Sequence, residues 1–175
     1  MPPSRAARSR AVRYWLLKSE PDVFSFDDLW AAPERTTSWD GVRNYQARNF
    51  MRDDMRVGDQ ALFYHSSAEP QAVMGVVEIV RAAYPDPTAF DENDPHFDSR
   101  SRRESPTWVA VDVRETERFA RPVTLPELRA TPGLEGMELL RRGSRLSVQP
   151  VRPAEWEIVR ALGALGAKSP ARSRR

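Results

Sequence analysis

The apolar runs of this chain are strand length, are punctuated by proline and glycine, and are not followed by helices in any regular order, which restricts the possible folds more than any other feature. Val12 to Ser19 (V-R-Y-W-L-L-K-S) is apolar and aromatic and stops at Glu20-Pro21, where proline cannot continue a central ladder. Alternation puts Trp15, Leu17 and Ser19 on one face and Tyr14, Leu16, Lys18 and Glu20 on the other. Gln60–Ser66 and Ala72–Val80 read as a hairpin, with Gly75 marking a bulge or a close backbone approach. Thr107–Arg114 alternates with Val109, Val111 and Val113 facing a core, and Arg145–Pro150 is a final strand with Arg145, Ser147 and Gln149 on one side. Five such strands without βα alternation argue against a doubly wound sheet and for a small mixed α+β barrel.

The helices predicted between these strands are short. Ser25 with Asp28 three residues on offers a capping pair before Leu29-Trp30-Ala31-Ala32, and Pro33 ends the segment. Asn44 to Met55 has apolar residues at mixed three- and four-residue spacing, with Asn44, Arg48 and Arg52 on the opposite face. Thr124-Leu125-Pro126 starts another helix, Met137–Leu140 forms a brief piece, and Pro153–Leu162 closes the domain. Thr36–Gly41 reads as a loop, and residues 85–106, rich in Pro, Asp and Ser, as a long loop suited to a lid or an edge cover. No internal repeat is present.

At 175 residues the chain suits one domain. It has no cysteine, which excludes disulfides and thiolate chemistry, and only His65 and His96 as histidines, so neither a metal nor another cofactor is expected. No apolar run approaches the roughly 20 residues of a membrane span, so a soluble, cytoplasmic monomer without membrane contact is expected. The sequence pI near 9.3 suggests a polyanionic partner, but the cations are unevenly placed. Residues 1–13 and 168–175 hold four cations each and no acid; without those eight, 19 basic residues face 25 acids, a net −6 for residues 14–167. The folded part is therefore acidic, and affinity for nucleic acid must come from a local basic site and from the two basic tails, expected to be disordered at 1–13 and 164–175.

Signatures of common catalysis are missing: no phosphate-binding loop, no dinucleotide glycine fingerprint, no serine elbow. His65, Ser66 and Asp59 make a poor hydrolytic set, because adjacent strand residues diverge. The acidic run Asp91–Asp98 lacks the spacing of a calcium loop. More informative is Ser38-Trp39-Asp40-Gly41-Val42-Arg43-Asn44-Tyr45-Gln46-Ala47-Arg48-Asn49. A loop Trp39 supplies a stacking surface, Asp40 and Asn44 can read a base edge, and Arg43 and Arg48 can meet phosphate. On residue types alone, a core Trp39 with solvated arginines is the favoured reading.

This stretch resembles the EVE family, and the resemblance extends from about Tyr14 to Leu162 through separated motifs in order: Tyr14–Pro21, Trp39–Asn49, Phe63–Ser66, Ala83–Asp86 and Arg145–Pro150. It implies an EVE domain over residues 14–163, a PUA-like mixed β-barrel of five to six strands with short peripheral helices, similar to PUA and YTH domains. It further implies a non-catalytic module that reads a modified base, such as a modified cytosine, in DNA or RNA. By that resemblance Trp39 stacks on the base, and Lys18, Ser19 and Glu20 frame its edge; Tyr64 and Ser66 share a strand face and form another wall, and Arg145 and Ser147, on one face of the final strand, position the backbone or the base edge with Arg43 and Arg48. Trp30 and Trp108 are either a second cage residue or core. An enzyme acting on a nucleotide or RNA through Glu20, Asp40 or His65, and a protein-interaction scaffold with a vestigial pocket, remain the alternatives.

Overall fold

A computed structural model describes residues 10–165. The basic tails expected at the two ends lie outside the described residues except for 10–13 and 164–165. Six strands form one mixed sheet: β1 (Tyr14–Ser19), β2 (Thr36–Trp39), β3 (Gln60–His65), β4 (Ala72–Pro85), β5 (Val109–Thr124) and β6 (Val148–Val151), in the order β2-β5-β4-β3-β1-β6. Only β1 and β3 run parallel; every other neighbouring pair is antiparallel. Four short helices are attached: α1 (Phe26–Ala31), α2 (Tyr45–Asn49), α3 (Leu125–Ala130) and α4 (Pro153–Ala164). The protein is thus α+β, as the strand pattern implies. Among the described residues no helix is long and apolar enough to cross a membrane.

Period-two alternation sorts the strands into two cores. Trp15 and Leu17 of β1, Trp39 of β2, Phe63 of β3, Val77 and Ile79 of β4, Val111 and Val113 of β5 and Val148 of β6 pack in one cluster. All six strands therefore point into a single interior, although the edge strands β2 and β6 do not pair, so the sheet is rolled about that cluster. Phe26 and Leu29 of α1, Ala47 of α2 and Met51 close its ends. The opposite face carries Leu16, Leu62, Tyr64, Val73, Val76 and Val123 against Leu128 of α3 and Trp156 and Val159 of α4. Trp156 stacks on Tyr14 with ring centroids 4.4 Å apart.

The predicted caps form. Ser25 Oγ accepts the Asp28 N–H, Asp28 Oδ2 accepts the Ser25 N–H, and Thr124 Oγ1 accepts the Glu127 N–H. Gly75 sits at register shifts on both sides of β4, and a Cβ there would strike the Glu117 carbonyl and the Phe26 ring. The expectation of a bulge with close backbone approach holds.

Four expectations need correction. Thr36–Trp39 is a strand rather than a loop, because β5 supplies its ladder from Thr36 opposite Arg114 to Trp39 opposite Val111. β5 continues to Thr124, well past Arg114; its alternating charges hide a strand whose hydrogen bonds are completed by β4. The Asn44–Met55 helix is α2 followed by a π-helical turn at Phe50–Asp54. The last strand starts at Val148, so Arg145 and Ser147 precede it, and Gln149 is buried with Nε2 donating to the Leu146 carbonyl.

Candidate functional site

Rolling the sheet brings the end of β1, the end of β2 and the start of β6 to one mouth, where a cleft of about 600 Å³ opens. That volume falls within the roughly 300–1,000 Å³ typical of small-ligand sites. Lys18, Ser19, Glu20, Val23 and Phe24 line it from β1 and the turn that follows. Thr37 to Arg43 line it from β2 and its exit loop, and His96 and Ser147 complete it.

The walls are held by backbone bonds. The Lys18 N–H donates to the Ser147 carbonyl (2.9 Å) and the Ser66 N–H to the Ser19 carbonyl (2.9 Å), fixing the end of β1 between its neighbours. The Val23 and Phe24 N–H groups both donate to the Glu20 carbonyl, and Ser19 Oγ donates to the Phe24 carbonyl, so the turn is tight. Across the cleft, Gly41 has φ +75°, and its N–H donates to Asp86 Oδ2 at 2.8 Å. Arg43 holds the same carboxylate at 2.9 Å, gives two bonds to the His96 carbonyl (2.7 and 2.9 Å), and reaches Thr88 Oγ1. Burial alone would raise the Asp86 carboxyl, but the bonds from Thr88, Arg43 and Gly41 outweigh it and hold the pKa below the ordinary value.

Trp39 is 8% exposed, with its ring edge-to-face on Phe63 at 5.5 Å. It is core and cleft wall at once. Beside it the Asp40 side chain stands at the surface, yet burial of its carboxyl, reinforced by the Asp86 and Asp94 charges, raises its pKa against the opposing pull of His96 and Arg43. Burial lowers the Lys18 ammonium, with Glu138 opposing. The cleft thus pairs an aromatic wall and the apolar Val23 and Phe24 with a donor, Lys18, and two acceptors, Asp40 and Glu20. Such a set can sandwich a flat heterocycle and hydrogen-bond its edge.

Of the site residues expected from sequence, Lys18, Ser19, Glu20, Trp39, Asp40, Arg43 and Ser147 converge on this cleft. Asn44 and Arg145 line a neighbouring hollow instead, and Asn44 Oδ1 is taken by the Ala47 N–H as the cap of α2. Arg48 lies outside, over the Tyr45 ring, with Nη1 on the Thr107 carbonyl. Tyr64 and Ser66 are not a wall. Tyr64 points into the opposite core, its hydroxyl on Gln71 and its pKa pushed up to about 12 by burial, and Ser66 lies beyond the end of β3. The odd positions Phe63 and His65 face the Trp39 side, and His65 Nε2 accepts the Phe26 N–H at 3.0 Å. Asp59 is bound by Arg10, Trp15 Nε1 and the Arg13 and Arg56 N–H groups, so the His65, Ser66 and Asp59 set does not assemble.

Neither spare tryptophan enters the cleft. Trp30 is 40% exposed on α1 under the Arg35 guanidinium, and Trp108 is buried with Nε1 donating to Asp98 Oδ2. Among the described residues no group of acids and histidines is placed to hold a metal ion. His96 and Phe24 went unassigned in the sequence; the only signal for His96 was the long segment 85–106, suited to a lid.

Comparison with known proteins places this geometry in a family. The EVE domain model matches residues 13–162. Thymocyte nuclear protein 1 of Gallus gallus is 46% identical over 166 residues, covering 85% of this chain and 68% of that protein. A structure of a hypothetical protein from Leishmania major is 44% identical with a TM-score of 0.84, over 90% of this chain and 98% of that one. A crystal structure of the human THYN1 protein in complex with 5-methylcytosine-containing DNA is 43% identical with a TM-score of 0.81, over 90% of this chain and 99% of that one. With its motifs, its rolled sheet and this match over nearly all described residues, the chain belongs to the EVE domain family.

Proposed function

We propose that this protein binds DNA carrying a modified cytosine and reads it by taking the base into the Trp39 cleft, without altering it chemically. The observation that carries this reading is the 43% identical human relative crystallised with 5-methylcytosine-containing DNA. The cleft supplies the matching chemistry: Trp39 as stacking wall, and Asp40 as an acceptor for the exocyclic amino group of cytosine. Extracting a base from a duplex costs a few kcal/mol, and stacking returns about 1–3 kcal/mol with edge hydrogen bonds in addition. A methyl group buried against Val23 or Phe24 contributes about 0.8 kcal/mol, roughly fourfold in affinity.

The test is direct titration with matched oligonucleotides containing cytosine, 5-methylcytosine or 5-hydroxymethylcytosine, in single- and double-stranded DNA and in RNA. Preference for a modified cytosine in DNA is the expected result; equal binding across the panel would sink the reading. Oligonucleotide mass after prolonged incubation should not change. Conversion that disappears in Asp40→Asn would replace the reader with an enzyme.

A further inference from the structure

The Trp39 cleft is continued by a second hollow of about 260 Å³, lined by Asn44, Gln46, Glu138 and the Arg141–Leu146 segment. The two adjoin: Leu146 lines the hollow, Ser147 lines the cleft, and the Glu138 charge in the hollow is felt by Lys18 in the cleft. Arg141, Arg142 and Arg145 all stand in this hollow and are all exposed.

Residues 14–167 are net acidic, and arginines such as Arg43, Arg114, Arg121 and Arg152 are spent on carboxylates. Arg142 and Arg145 make no side-chain hydrogen bond or ion pair among the described residues. Arg141 only grazes Glu138 at 3.8 Å, and the other Glu138 oxygen accepts from Ser144 Oγ. Asn44 adds donor capacity, since capping α2 uses its oxygen and leaves the amide N–H groups on the hollow's wall. A polar hollow with uncommitted guanidinium forks fits a tetrahedral oxyanion, which such forks grip in bidentate fashion.

We infer that this hollow holds a backbone phosphate of the strand whose base occupies the Trp39 cleft, with Arg142 and Arg145 as its grip. The inference rests on the base-reading proposal. A base and its flanking phosphate are joined through one sugar, so their sites must adjoin. Arg145 and Ser147, two residues apart and so separated by no more than about 7 Å of chain, meet that requirement.

The experiment compares the full chain with an Arg142→Ala, Arg145→Ala double variant on 5-methylcytosine duplex DNA and its unmodified counterpart, across a salt series. Each phosphate contact adds about 0.9 to the slope of log affinity against log salt. With one phosphate lost, the double variant should therefore lose about 0.9 from that slope, so that raising salt from about 50 to 200 mM weakens the wild type about 3.5-fold more than the variant. Affinity should fall by the same factor for both duplexes, leaving methyl selectivity intact, and Arg142→Lys, Arg145→Lys should retain the slope. An unchanged slope in the alanine variant, or a loss confined to methylated DNA, overturns the phosphate grip while base reading stands. Failure of the wild type to bind either duplex overturns the base-reading proposal and this one with it.

Discussion

Arg43 and Asp86 meet at 2.9 Å beneath the loop that carries Asp40, and the same Asp86 oxygen accepts the Gly41 N–H. The Asp86 side chain is 0% exposed and that of Arg43 22%. A residue that composition suggests for phosphate contact is thus committed to holding its own loop. Arg43→Ala leaves a buried carboxylate with only Thr88 and Gly41 as donors. It should cost about 3 kcal/mol, the lower end for breaking a buried pair. Denaturant unfolding measures the loss. Loss of DNA affinity without any change in salt slope would separate this positioning role from phosphate contact.

Trp39 packs in the core and is the proposed stacking wall, and a single truncation confounds the two. Because it packs on Phe63, Trp39→Ala should cost about 3–5 kcal/mol of stability as well as binding. Trp39→Phe keeps an aromatic core contact and gives up part of the stacking face. We expect a folded protein that binds DNA up to about tenfold more weakly, with reduced preference for modified cytosine. Unaltered selectivity in a folded Trp39→Phe protein would remove Trp39 from the base-reading wall.

Much of the fold was legible in the sequence because it rests on local rules. β1 alternates as written, Ser25 and Thr124 cap as written, and Gly75 lies where two backbones approach. What escaped depends on tertiary partners. β2 and the second half of β5 look irregular or merely charged until each supplies hydrogen bonds to a neighbour. Parity explains the Tyr64 error: a one-residue choice on β3 sends a side chain to the other core. The site half contributed by the Trp39–Arg43 stretch was readable from its residue types together with the EVE resemblance. His96 was not, because tertiary bonds bring that distant loop to the cleft, from Arg43 to the His96 carbonyl and from Arg43 and Gly41 to Asp86.

The raised pKa of Asp40 should make the proposed binding pH-sensitive. Its folded value lies above the ordinary 3.8, so between those two values the folded state carries the extra proton. Stability from this group therefore falls as pH rises through that window, and Asp40→Asn should stabilise the protein at neutral pH. Binding runs the other way. The ionised Asp40 carboxylate is a stronger acceptor for the cytosine amino group than the protonated acid, so affinity for 5-methylcytosine DNA should drop as pH falls through the raised value. Asp40→Asn should flatten that profile; parallel profiles for variant and wild type would exclude Asp40 as the titrating acceptor.

Tyr64→Phe tests which face of β3 serves the site. The Tyr64 hydroxyl donates to Gln71 Oε1 at 2.8 Å within the core covered by α3 and α4, across the sheet from Trp39. Removing it deletes one hydrogen bond and leaves the ring packing, for a loss of about 0.5–1.5 kcal/mol in unfolding free energy. Affinity and selectivity for modified DNA should match the wild type. The neighbouring His65 faces the other way and accepts the Phe26 N–H that starts α1. His65→Ala should therefore loosen α1, and with Phe26 also the packing behind Trp39, lowering affinity as well as stability. If Tyr64→Phe impaired binding while His65→Ala did not, β3 would present its even-numbered side chains to the ligand, and the face assignment would be reversed.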